Sequence, residues 1–184
     1  MSGAWVFVCG PSGAGKDSVL AWAAEHLADR RDIVFARRMV TRALQHGSDH
    51  DPVTAQQFAQ LLLAGELVWC WQAHGFNYGI AAHYCAEVAA GRTVVVNGSR
   101  EHASNLESSQ FVRVVQIMVD AEQLAVRLAR RGRDDAQQIG QRLLRNASFA
   151  TLRADHTILN QGELASAGRE LANYLGAEPE SSDH

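Results

Sequence analysis

One stretch of the chain carries the residue types that hold phosphate. Gly10-Pro11-Ser12-Gly13-Ala14-Gly15-Lys16 has the G-x-x-x-x-G-K spacing of a phosphate-binding loop. Glycines let successive backbone N–H groups turn toward an anion, a following helix start adds its positive dipole end, and the lysine reaches the outer phosphates of a nucleotide. Lys16 is the single lysine among 17 Lys and Arg residues. In a sequence whose default cation is arginine, lysine persists where a compact point charge is needed. The Ser or Thr that follows the lysine in the usual pattern, and touches Mg²⁺, is here Asp17, with Ser18 next. A carboxylate is a hard oxygen ligand for Mg²⁺, acting directly or through water, with Ser18 as the other choice. It is equally a first-turn acid that complements a helix dipole, and both readings stand.

Such a loop works only between a strand and a helix. Trp5 to Cys9 is an apolar run ending at Gly10-Pro11, and Ser18 to Leu27 places Val19, Leu20, Trp22, Ala23 and Leu27 at helical spacing. Further strands are expected at Ile33–Ala36, Leu67–Trp71, Thr93–Val96, Val112–Val119 and His156–Leu159. Helices are expected near 55–64, 81–90, 121–131, 136–149 and 163–175. Alternating β and α elements imply an α/β fold, a parallel sheet flanked by helices. The Arg-rich stretch Arg127 to Arg145 is a polar excursion from this plan.

At 184 residues with 47% apolar and 20% charged residues, the chain suits one globular domain, expected over 1–176 with an acidic flexible tail over 177–184. A formal charge of −3 argues against a nucleic-acid or anionic-membrane partner. No apolar run reaches membrane-spanning length. The N-terminus runs without a basic leader into the first strand, so a cytosolic protein is expected. Cys9, Cys70 and Cys85 lack finger spacing and read as buried hydrophobes. Oligomeric state stays open, a homodimer included.

Other residues admit structural readings. His46, Asp49, His50 and Asp51 have ligand-like types but lie in a Gly/Ser/Asp-rich stretch, which favours an exposed loop. Asp120 at a strand end mimics a Mg²⁺-positioning acid, yet with Gln123 it reads as a capping box. Strand alternation lets only one of Arg37 and Arg38 face inward. Trp69, Trp71 and Phe76 read as core or pocket wall, and Tyr78 as either a site residue or a core aromatic.

Beyond the loop, several segments together resemble the guanylate-kinase-like branch of nucleoside monophosphate kinases over nearly the whole chain. Thr41-Arg42 looks like its acceptor-phosphate motif, and Trp71 to Gly79 like its tyrosine-glycine segment. Arg127 to Arg133 with Arg142 looks like its arginine lid over ATP, placed near 121–147, and Ile158-Leu159-Asn160 like its strand end near adenine. The departures matter as much. Guanine N1–H and N2–H₂ require acceptors, but Trp69 stands at the acidic position before the tyrosine-glycine segment, and Asn97-Gly98-Ser99-Arg100 replaces the acidic strand-end motif. With Asp17 and Arg38-Met39-Val40-Thr41-Arg42, these departures resemble the ribose 1,5-bisphosphate phosphokinase family of phosphonate catabolism. The resemblance implies a P-loop kinase with ATP and Mg²⁺ that phosphorylates a small phosphorylated acceptor. It implies ATP on Gly10 to Ser18, Arg127, Arg131 and Asn160, and the acceptor on Arg38, Arg42, Tyr78, Asn97, Ser99 and Arg100. Lys16, Arg131 and Arg142 would attend the transferring group, and Asp17 the metal. A ribose bisphosphate has two dianionic ends and no base, which suits arginines and neutral hydrogen-bonding groups. Its phosphate oxygen is already ionised, so no general base is needed. A kinase for a nucleoside monophosphate or another sugar phosphate is the alternative in the same class. A non-catalytic binding module has no use for an intact loop, and no Asn-Lys-x-Asp motif of a GTPase occurs.

Overall fold

The computed structural model describes residues 3–44, 49–106, 111–130, 140 and 152–176. Its first strand, β1 (Ala4–Cys9), is buried along its whole length, as a central strand of a covered parallel sheet must be. It is followed by α1 (Lys16–His26), β2 (Ile33–Ala36), β3 (Met39–Val40), β4 (Asp51–Pro52), α2 (Ala55–Leu63), β5 (Leu67–Ala73), β6 (Phe76–Ala81) and α3 (Tyr84–Ala89). Then come β7 (Thr93–Asn97), α4 (Arg100–Ser104), β8 (Val112–Met118), α5 (Ala121–Arg130), β9 (His156–Leu159) and α6 (Leu164–Gly176).

Five strands form the parallel sheet in the order β2-β7-β1-β8-β9. Because all five run the same way, their C-terminal ends share one edge, where open α/β sheets bind ligands. Gly10, Asn97 and Asn160 stand at or just after three of those ends. The side chains of β1 alternate between two cores. Val6 and Val8 join Val19, Ala23, Leu171 and Leu175 under α1 and α6. Trp5 and Phe7 point the other way, toward Trp71, Tyr78 and Ile80.

That second core exposes a difference from the expectation of a single parallel sheet. Leu67 to Trp71 is a strand, but it belongs to a separate mixed sheet in the order β4-β3-β6-β5. β5 and β6 make an antiparallel hairpin turned by His74-Gly75, with φ of 52° and 78°. Positive φ at both central positions matches the twist of the flanking strands. The helix expected over 81–90 is confined to Tyr84–Ala89. Apart from residue 140, the expected 136–149 helix lies outside the described residues, as does the tail. Among the described residues no helix is long and apolar enough to cross a membrane. The cysteine expectation fails in part: Cys9 is buried, whereas Cys70 and Cys85 are exposed.

Candidate active site

The phosphate loop leaves β1 at Gly10 and enters α1 at Gly15, the helix N-cap, which has φ 82° and ψ 17°. Gly13 also has positive φ, at 98°. These values turn the backbone inward at little cost only for glycine. A Cβ on Gly15 would lie 2.6 Å from Asn160 Nδ2, and one on Gly10 would lie 2.3 Å from the Ile117 carbonyl oxygen. The cradle therefore admits no side chain at either end.

A second set of contacts fixes the loop from behind. Asn160, just past β9 and buried, donates from Nδ2 to the Ala14 carbonyl at 2.7 Å. Arg127 on α5 donates to the Asn160 carbonyl at 2.8 Å and more distantly to Ala14 at 3.4 Å. Two residues assigned to ATP by resemblance thus brace the loop that would hold it.

At the mouth of the loop, Lys16, Asp17 and Asn97 close a triangle. Lys16 Nζ donates to Asp17 Oδ1 at 3.2 Å and also to Asn97 Oδ1. Asn97 Nδ2 in turn donates to Asp17 Oδ1 at 2.7 Å. Lys16 is mostly enclosed, with 15% of its side chain exposed, while Asp17 keeps 69% open. Burial lowers the Lys16 pKa against the pull of Asp17. The Lys16 charge, ahead of the Asn97 hydrogen bond, brings the Asp17 carboxyl down to about 2. Burial pushes the Cys9 thiol beneath them up to about 11, against the opposing pull of Lys16 and Arg100.

Facing this end is a cationic wall carried by the second sheet and α4. Arg38 is half-buried, with its guanidinium 5.7 Å above the Tyr78 ring. Burial lowers its pKa, and Asp17 is the largest influence raising it, which brings Arg38 within electrostatic reach of the loop. Arg42 lies 5.6 Å over Phe76, and its buried Nε has no hydrogen-bond partner. Arg37 turns outward to Asp49 at 2.5 Å and to Asp51, so the inward place belongs to Arg38. Tyr78 stacks on Trp71 at 5.6 Å, and Trp71 on His102 at 4.8 Å. Arg100 opens α4 and is buried; Ser99 caps that helix by accepting from the His102 amide at 3.1 Å. Trp69 packs edge-on against Trp5 and Phe7, with centroids 5.9 and 5.2 Å away.

No protein-family model matches the chain. It is 44% identical over 176 residues to the ribose 1,5-bisphosphate phosphokinase PhnN of Pseudofrankia inefficax, covering 94% of this chain and 90% of that protein. It is 42% identical over 173 residues to the PhnN of Burkholderia mallei, covering 92% and 94%. The chain belongs to the ribose 1,5-bisphosphate phosphokinase family. Its fold is that of guanylate kinases: the enzyme from Anaplasma phagocytophilum superposes with a TM-score of 0.75 at 19% identity, covering 98% of this chain and 88% of that one.

Among the residues expected to serve the site of this phosphokinase family, the loop, Lys16, Asp17, Asn97, Arg127 and Asn160 come together at the sheet edge. Arg38 and Arg42 flank β3, Tyr78 is on β6, and Ser99 and Arg100 are the N-cap and first residue of α4. Arg131 and Arg142 lie outside the described residues, as does all of the lid past Arg130 except residue 140. Ser12 and Ser18 are exposed, and Pro11 is buried. Asp120 caps α5 through the Gln123 amide at 2.8 Å, but the Gln123 side chain goes to the Gln161 carbonyl, so the reciprocal half of the box is absent. His50 contradicts the exposed-loop expectation: it is fully buried, with Nε2 3.0 Å from the Arg42 carbonyl. A carbonyl can only accept, so Nε2 carries the proton and anchors the backbone that presents Arg42. Sequence reasoning missed His50 in this role and His102 in the aromatic stack; the Ser99 cap was the available pointer to the second.

Proposed function

We propose that this protein transfers the γ-phosphoryl group of ATP to the 1-phosphate of ribose 1,5-bisphosphate, giving 5-phosphoribosyl 1-diphosphate and ADP in the cytoplasm. An oxygen of the 1-phosphate forms the new bond to the γ-phosphorus while the bond from that phosphorus to the β–γ bridging oxygen breaks. The electron pair leaves with ADP. ATP supplies the group in transit, and Mg²⁺ supplies charge that neutralises it.

The residues fit both. Gly13 and Gly15 take the positive φ that turns loop amides toward an anion, and Gly15 has no room for a Cβ against Asn160; Lys16 would reach the outer phosphates, and the open Asp17 carboxylate would hold the metal directly or through water. Arg38, Arg42 and Arg100 would hold the acceptor's phosphate ends. Arg131 and Arg142 would close over the transferring group. No side chain has to remove a proton, so positioning and charge neutralisation carry the rate.

One observation favours a base-free acceptor. Where a guanine-reading acid would stand, Trp69 is packed into the aromatic core against Trp5 and Phe7. A guanine placed there would leave buried donors unpaired at about 1–3 kcal/mol each. Two such losses predict ~10²–10⁴-fold preference for ribose 1,5-bisphosphate over GMP. The test is kcat/KM for both acceptors with Mg²⁺-ATP, products identified by mass. Comparable efficiency on GMP would make this a nucleoside monophosphate kinase.

A further inference from the structure

Asn97 sits at the end of β7, in a motif the family resemblance assigns to the acceptor, yet its carboxamide is spent elsewhere. Its oxygen accepts from Lys16 and its nitrogen donates to Asp17. A carboxamide suits this place because it offers an acceptor to the cation and a donor to the anion at once. A second carboxylate here would satisfy Lys16 but repel Asp17. A hydrocarbon would leave Lys16, already mostly enclosed, with one polar partner fewer.

We propose that Asn97 is a positioning residue of the ATP-side machinery, a neutral bridge that keeps one carboxylate per lysine at the phosphate loop. That carboxylate would serve from either position 17 or position 97. The inference rests on the reading of the loop as an ATP site. It moves Asn97 away from acceptor recognition and couples two departures that the sequence shows separately, the acid after the lysine and the amide at the strand end. The geometry accounts for the coupling: the two side chains touch at 2.7 Å and share Lys16.

Position 97 can be probed without added charge by Asn97→Ala. A positioning role predicts a higher KM for ATP and a lower kcat, with the KM for ribose 1,5-bisphosphate unchanged. An acceptor-binding role predicts that the acceptor KM rises alone, and that result would overturn the proposal.

The charge logic is tested by calorimetric binding of ADP, with and without Mg²⁺, to wild type, Asp17→Asn, Asn97→Asp and the exchange variant Asp17→Asn/Asn97→Asp. Two anions beside Lys16 should weaken Mg²⁺-free ADP about 10-fold in Asn97→Asp. Removing the only anion should tighten it by about the same factor in Asp17→Asn and abolish the gain from Mg²⁺. The exchange variant is expected to recover both the wild-type affinity and the gain. Thermal melts of all five proteins establish that each is folded. If the exchange variant still lacks the Mg²⁺ gain, or if Asn97→Asp binds ADP as wild type does, the interchange is refuted while the ATP site stands. A wild type that binds no ADP overturns the proposed function and this inference with it.

Discussion

Replacing Asn160 by alanine separates two roles for one amide. By resemblance Asn160 lies near adenine, whereas its Nδ2 is found on the Ala14 carbonyl at 2.7 Å, with both residues buried. Removing that donor leaves the carbonyl with Arg127 at 3.4 Å, a poor substitute at the outer limit of a hydrogen bond. A buried acceptor deprived of its partner costs about 1–3 kcal/mol; partial approach of the Arg127 guanidinium keeps the expected loss near 1–2 kcal/mol. For a domain of this size that is a fall of roughly 2–8 °C in Tm. The assay is thermal and urea unfolding of nucleotide-free protein for Asn160→Ala, Arg127→Ala and the double variant. Because both residues serve Ala14, the losses should not add, with a coupling of about 0.5 kcal/mol or more. The reasoning is refuted if nucleotide-free Asn160→Ala is as stable as wild type while its preference for ATP over GTP collapses. The amide would then serve the base and not the loop.

Lys16→Ala should abolish phosphoryl transfer and let the Asp17 carboxyl rise from about 2 toward its ordinary 3.8; a carboxyl-detected NMR titration in which it stays at about 2 would contradict the Lys16 pairing. The sign follows from a depressed carboxyl: in wild type the pairing stabilises the fold above about pH 3.8 and is lost as pH falls through about 2. Gly168→Ala would set a Cβ 2.4 Å from Trp22 Cε3 at the packing of α6 on α1. Overpacking predicts a loss of about 1–3 kcal/mol in urea unfolding, whereas helix propensity alone predicts a gain of up to ~1 kcal/mol, so the sign decides. Cys70 and Cys85 are exposed and Cys9 is buried with its thiol pushed up to about 11; alkylation of the folded protein near pH 8 should modify the first two and spare Cys9 until unfolding.

The features legible in the sequence were those governed by local chemistry. Gly10 to Lys16 announced itself because a phosphate cradle needs glycines at fixed spacing between strand and helix, and the central strands β1 and β7 were visible because they are buried runs of apolar residues. Asp17 stood out as a misplaced acid. The second sheet was not legible: β3 and β4 have two residues each, too short for periodicity, and the β5–β6 turn uses His74-Gly75 in place of the Asn-Gly or Asp-Gly that signals such a hairpin. His50 looked like loop composition because burial of a polar ring depends on a partner eight residues away, the Arg42 carbonyl. Above all, the sequence could name Lys16, Asn97 and Asn160 but not join them. They stand 81 and 63 residues apart along the chain, and only the parallel register of β1, β7, β8 and β9 brings their strand ends to one edge, where an amide can bridge a lysine to an acid.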